Sequence, residues 1–145
     1  MDYLSSFDIS ASGMAVEKLR MDLISLNLAN AHTTRTASGG AYKPLTLVTR
    51  PDEHMVFSAE LAKAYGVQMP AGVKVEQIVP MDVPEKLAFE PEHPDADEKG
   101  FVHYPGVNTA SEMMNMIKAT RAYEANIKAL SAARSMAQKA LQIGR

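Results

Sequence analysis

The segment Asp95-Ala96-Asp97-Glu98-Lys99-Gly100 comes nearest in this chain to a ligating motif. It opens like a calcium loop, with carboxylates alternating ahead of a glycine. Such a loop also needs an oxygen donor at its fifth position and a bidentate glutamate at its twelfth. Those positions hold Lys99 and Gly106, so a solvated acidic turn is expected instead. The histidines are His32, His54, His93 and His103, and none pair at the i, i+4 spacing that sets two imidazoles on one helix face. His93 beside Asp95 and Asp97 would support weak metal binding or hydrolysis; a loop histidine between prolines is the simpler reading. Gly39-Gly40 lacks the spacing of a phosphate-binding loop, and no Gly-x-Ser-x-Gly elbow exists. The pairs Asp52-Glu53 and Asp97-Glu98 fall in loops, where solvation is the default. No catalytic, metal or cofactor residue is assigned.

Composition narrows the classes further. The chain has 145 residues, 46% of them hydrophobic, enough for one domain with a core. It has no cysteine, which removes disulfides, thiolate-ligated metals and thiol nucleophiles. Fifteen basic against 17 acidic residues give a net charge of −2, and aromatics are 6% with no Trp. Neither an electrostatic footprint nor a stacking platform for nucleic acid is present. No apolar run approaches the roughly 18 residues of a spanning helix. The start, Met1-Asp2-Tyr3-Leu4-Ser5-Ser6, lacks the basic and apolar regions of a cleaved secretory signal. The expectation is a cytoplasmic chain, or one exported by a route that reads no such signal.

The elements that would carry a function are at the two ends. All eight prolines lie between Pro44 and Pro105, so both termini are helix-permissive and the middle is broken. Charge follows the same division: residues 1–30 hold 4 acidic and 2 basic side chains, residues 31–107 hold 11 and 7, and residues 108–145 hold 2 and 6. The reading is a mainly α chain with an N-terminal helix in 1–31, a β/loop insert in 32–107 and a C-terminal helix in 108–145, the helices pairing as a coiled-coil-like hairpin. The first helix is expected from Phe7 or Asp8 to Ala29, capped by Asp8 or Ser10 and ended by Asn30. Its apolar residues repeat every seven positions on two tracks, Ile9, Val16 and Leu23 beside Leu19 and Leu26. The second is expected from Asn108 to Gln142. Its tracks are Met113, Thr120, Ile127 and Leu141, interrupted by Arg134, beside Met116, Tyr123, Leu130 and Ala137. The shorter helix cannot cover the longer, which leaves seam for other chains. The methionines Met113, Met114 and Met116 serve either as core filling or as a surface adapting to unlike neighbours. Strands are expected at Leu45–Thr49, Val73–Val79 and Phe101–Tyr104, with loop at Pro70–Gly72 and from Pro84 to Gly100.

Three stretches resemble a known family. Ser10-Ala11-Ser12-Gly13-Met14-Ala15, Arg20-Met21 and Asn27-Leu28-Ala29-Asn30-Ala31 are similar to the N-terminal signature of bacterial flagellar axial proteins. Ser111-Glu112-Met113-Met114-Asn115-Met116-Ile117 and Arg121-Ala122-Tyr123-Glu124-Ala125-Asn126 resemble their C-terminal signature. Pro84-Glu85-Lys86-Leu87 and the run from Phe89 to Val102, followed by Pro105 and Val107, are similar to the proximal-rod subunits of the FlgC type.

That resemblance implies a structural subunit of the flagellar basal-body rod, not an enzyme, that transmits motor torque across the periplasm. It implies export through the flagellar type III apparatus without a cleaved signal. The implied partners are other rod proteins, copies of the same chain, and inner-membrane ring and rod-junction proteins, with no nucleic acid and no small-molecule substrate or cofactor. The assembly residues expected are Ile9, Val16, Leu19, Leu23, Leu26, Asn27 and Asn30 on the first helix, with Met113, Met116, Tyr123, Ile127 and Leu130 on the second. The helical ends are expected to fold on assembly, because helices are marginal alone in water. Two other classes remain open: a cytosolic helical adaptor docking partner helices, and a metal or hydrolytic domain using His93, Asp95 and Asp97.

Overall fold

A computed structural model describes residues 3–52 and 72–143, with the side chains of residues 3–5 and 143 left aside. Glu53, His54, Pro70, Ala71 and Gly144 lie outside the described residues. The elements run α1 (Tyr3–Ala29), β1 (Leu45–Pro51), β2 (Val73–Pro80), β3 (Lys86–Phe89), β4 (Phe101–Tyr104) and α2 (Thr109–Ile143). Two long terminal helices therefore bracket a small β insert. The 35 residues of α2 span about 52 Å.

Helix α1 starts earlier than its sequence cues imply. Asp8 and Ser10 are interior residues rather than caps, and Ser10 is buried. Gly13 weakens a helix through backbone entropy, yet it does not end this one. A Cβ added there would lie 2.9 Å from Nδ2 of Asn126, so the glycine makes room for the second helix. At the other end Asn30 stops α1 as expected, its Nδ2 donating to Leu26 O at 2.9 Å. Thr33 Oγ1 then donates to Asn30 Oδ1 at 3.1 Å. Helix α2 is capped by Asn108, whose Oδ1 accepts the Ser111 N–H at 3.2 Å.

The described chain resolves into two compact units, each drawing on both helices. The first gathers Met1–Leu19, Val48–Gln77 and Ala119–Arg145. Val16, Ala119 and Ala133 are buried in it. Ser12 Oγ donates to Ile9 O at 2.9 Å and accepts the Val73 N–H at 3.1 Å, tying the start of β2 to α1. Gly72 fits there because a Cβ would meet that hydroxyl at 2.7 Å.

The second unit gathers Arg20–Leu47 and Ile78–Lys118. Its core holds Leu23, Ile24, Ala31, Ala41, Leu47, Val102 and Val107. β1 pairs with β2, and β3 pairs with β4 in a separate antiparallel ribbon. β3 falls in the stretch expected as loop between Pro84 and Gly100. Four residues flanked by prolines carry little strand signal alone; pairing with β4, Leu87 to His103 and Phe89 to Phe101, is what makes Lys86–Phe89 a strand.

The connection between β3 and β4 is a built turn. Asp97 Oδ1 accepts the N–H groups of Lys99 and Phe101, each at 2.8 Å, and Gly100 has φ +80°. A Cβ at Gly100 would lie 3.0 Å from the Phe89 ring. Gly100→Ala therefore combines left-handed strain with a ring contact, and it is expected to cost about 1–2 kcal/mol. The check is the unfolding midpoint of this variant against that of Glu98→Ala, an exposed change beside it that should be near neutral.

Candidate assembly interface

The exposed positions of α1 repeat as Asp8, Ala11, Ala15, Lys18, Asp22, Ser25 and Ala29, alternating steps of three and four. The opposite face is turned inward and centres on Val16, Leu23, Ile24 and Asn27. Of the residues expected at the seam, Val16 and Leu23 are buried, Ile9, Leu19 and Asn30 half-buried, and Leu26 is 43% exposed. Leu26 lies three positions on from Leu23, about 60° round the helix on the side of the exposed Asp22 and Ala29, while the buried Val16 and Asn27 lie on the other side of Leu23.

Helix α2 presents one narrow inward stripe. Met116, Tyr123, Leu130 and Ala137 are half-buried on one track, as the heptad reading expects. The track beside them is not the apolar one. Glu112, Ala119 and Ala133 are buried and Asn126 half-buried, while Met113, Ile127 and Leu141 are exposed, Met113 by 60%. Asn126 comes against Gly13, where an added Cβ would lie 2.9 Å from its amide, so this track of α2 is the one turned towards α1 there. The signal readable in the chain was the seven-residue repeat of small or polar residues at 112, 119, 126 and 133, which a search for apolar residues passes over.

One buried polar group organises the second unit. Asn27 is only 2% exposed, yet both ends of its amide are satisfied. Its Nδ2 donates to Leu45 O at 2.9 Å and to Glu112 Oε2 at 3.3 Å. Its Oδ1 accepts the Leu45 N–H at 2.8 Å and the Tyr42 hydroxyl at 2.9 Å. A single side chain on α1 thus fixes the start of β1 and the first turn of α2. Tyr42 titrates above its ordinary 10.0, first because burial disfavours the phenolate and second because Glu112 is nearby.

The acidic segment has its carboxylates in structural use. Asp95 accepts the Thr34 hydroxyl at 2.7 Å and lies 3.7 Å from the Arg35 guanidinium, and the Asp95 N–H donates to Nδ1 of His93 at 3.1 Å. The Phe101 and Lys99 N–H groups hold Asp97 below the ordinary carboxylate value. His93, Asp95 and Asp97 are thus turned to neighbours in the chain rather than towards a common point. An open cavity of about 440 Å³ in the same unit is lined by His32, Lys86, Glu90, Tyr104 and Val107, among others. Lys86 Nζ donates to Val107 O at 2.6 Å, and Glu90 accepts the Tyr104 hydroxyl at 3.1 Å. Its polar groups hold the β3–β4 ribbon to the strand leading into α2.

Both terminal helices thus have narrow inward faces and exposed apolar flanks. Residues 98–143 match the family model described as flagellar basal body rod FlgEFG protein C-terminal. Over 99% of its length the chain is 36% identical to the flagellar basal-body rod protein FlgC of Borreliella burgdorferi, of which the match covers 98%. The FlgC of Salmonella typhimurium is 35% identical, with 99% of each chain covered. That of Bacillus subtilis is 36% identical over the whole of both. The chain belongs to the FlgC family of flagellar basal-body rod proteins.

Two changes test the Asn27 network. Asn27→Leu strands the Leu45 N–H, the Leu45 carbonyl and the Tyr42 hydroxyl, and it is expected to cost about 2–4 kcal/mol in chemical denaturation. Tyr42→Phe leaves Oδ1 with the Leu45 N–H and should cost about 1 kcal/mol at neutral pH. The raised Tyr42 value means that the folded state holds this proton more tightly. Its stabilisation is present below the unfolded value and is lost as pH rises through the folded one. The wild type should therefore lose stability more steeply than Tyr42→Phe above about pH 10.

Proposed function

We infer that this chain is a structural subunit of the flagellar basal-body rod. The observation that carries the reading is end-to-end similarity to FlgC proteins, spanning both helices and the insert alike. A cytosolic adaptor would need to share only a docking helix with such relatives, so the adaptor reading falls behind.

The mechanism proposed is assembly through the termini, with α1 and α2 paired as a coiled-coil-like hairpin. Within the first unit Gly13 comes against Asn126, and within the second Asn27 bonds to Glu112. Ile9, Val16, Leu19, Leu23, Asn27, Asn30, Met116, Tyr123 and Leu130 then build or flank the seam within one subunit. Leu26, Met113 and Ile127 face outward, where they are available to neighbouring subunits. Rigidity under torque comes from many such lateral contacts acting together.

The finer placement follows from the same family reading. The subunit belongs to the proximal rod, beside the inner-membrane ring and rod-junction proteins. It travels through the flagellar type III apparatus on an uncleaved N-terminal signal, its ends folding on assembly, and it performs no catalysis. The described helices include none long and apolar enough to cross a membrane.

Because Leu23 is buried, Leu23→Asp would test folding rather than assembly. Leu26→Asp and Ile127→Asp are the informative changes. Each should alter stability by no more than about 0.5 kcal/mol yet abolish swimming in a complemented deletion strain. Electron microscopy of basal bodies from the deletion strain should show the inner-membrane ring without a rod. Complete motile flagella in that strain would contradict the rod reading.

A further inference from the structure

Two apolar surfaces are exposed among the described residues, and they have opposite charge. The first is the outer face of the β3–β4 ribbon. Side chains alternate across a strand, and the register places Leu87, Phe89, Phe101 and His103 on one face, with Ala88 and Val102 on the other. The inner face is closed, since Val102 is fully buried. The outer face is open, with Leu87 62% and Phe89 65% exposed. The Phe89 and Phe101 rings lie edge to face at 5.3 Å, and the Gly100 turn supports the Phe89 ring, so this ridge is held in shape before any partner arrives. It sits in an acidic stretch: residues 82–100 contain seven Asp or Glu and two Lys. Lys86 is committed to the Val107 carbonyl.

The second surface is on α2. Ile127, Arg134 and Leu141 recur every seven residues on one exposed stripe, with Leu141 76% exposed. This is the track on which Arg134 interrupts the apolar repeat, an unexplained break if the track were core. Lys128, exposed, lies about a quarter-turn round the helix from Ile127, and Lys139 lies on the far side, so Arg134 is the basic group of the stripe itself. Residues 119–143 carry four basic side chains and one acidic, Glu124, which pairs with Arg121 at 3.1 Å. Among the described residues, Lys128, Arg134 and Lys139 have no ion-pair partner, and neither do Glu92 and Glu98.

We propose that the Ile127–Arg134–Leu141 stripe of one copy seats on the Leu87–Phe89–Phe101 ridge of a second copy, Arg134 meeting the acidic rim. The proposal rests on the rod-subunit reading and names a contact within it. Charge complementarity chooses the occupant: each surface offers an apolar strip with unpaired charges, and the other supplies the opposite sign. Exposed apolar patches rimmed by charge mark association sites. The two patches differ, so the contact is heterologous. Such contacts propagate head to tail rather than closing as an isologous pair does, as a rod requires.

The absence of native cysteine allows a direct test. A copy carrying Phe89→Cys and one tag is produced together with a copy carrying Leu141→Cys and a second tag, in a strain lacking the native gene. Basal bodies are then treated with a short bis-maleimide. Both positions are exposed, so the variants fold, and circular dichroism of each purified chain checks this. The expected product carries both tags, and adding Arg134→Glu to the Leu141→Cys copy lowers its yield several-fold while Arg134→Lys preserves it. Basal bodies that contain both tags but yield no doubly tagged product would overturn the contact and leave the rod reading standing. Cross-linking of either cysteine solely to a different rod protein would also overturn it. Absence of both tags from intact, rod-bearing basal bodies would overturn the rod reading and this contact together.

Discussion

A buried amide that must satisfy every one of its hydrogen bonds is the constraint on which the second unit depends. Asn27 is buried, so its two donors and its acceptor oxygen require partners, and these come from three residues in two separate stretches of chain. The Leu45 backbone, the Tyr42 hydroxyl and the Glu112 carboxylate provide them. An apolar residue at this place would fill the same volume but would not dictate where β1 begins or how α2 enters. Buried polar groups of this kind contribute uniqueness of arrangement more than net stability, because the desolvation cost offsets much of the bonding.

The close approach of backbone to side chain at Gly13 plays the matching part in the first unit. With no Cβ at that position, Asn126 can lie where a side chain would otherwise stand. This decides which face of α2 turns inward. The stripe of Glu112, Ala119, Asn126 and Ala133 is less hydrophobic than the track bearing Met113, Ile127 and Leu141, yet it is the buried one. The apolar residues of the neighbouring track are left exposed on the outer side of the helix.

The insert follows a similar division of faces. The β3–β4 ribbon closes one side over Val102 and leaves Leu87 and Phe89 in solvent. Its turn is held by Asp97 and Gly100, and its anchor to the strand before α2 is the Lys86 ammonium on the Val107 carbonyl. The acidic residues that resemble the opening of a calcium loop are spent on this scaffolding, with Asp95 reaching Thr34 and Arg35. The motif with the most chemical promise along the chain is a structural turn in space.

Much of the architecture was legible in the residues alone. Confinement of proline to 44–105 set two helical ends around a broken middle, because proline removes a backbone donor wherever it falls. Asn30 marked the end of the first helix and Asn108 the start of the second. The seven-residue repeats placed apolar stripes on both helices, since spacing along a helix maps directly to direction around it. What periodicity could not say is which of two neighbouring tracks is buried, as with Leu23 and Leu26, or Ala119 and Ile127. That depends on which side chains of the two helices meet, as Asn126 does Gly13, and no single segment contains both. Strand β3 was likewise invisible, because four residues acquire strand geometry only from a partner strand. The role of Asn27 was decided by tertiary structure for the same reason: its partners lie 15 to 85 residues away in the chain, and only folding brings them within bonding distance.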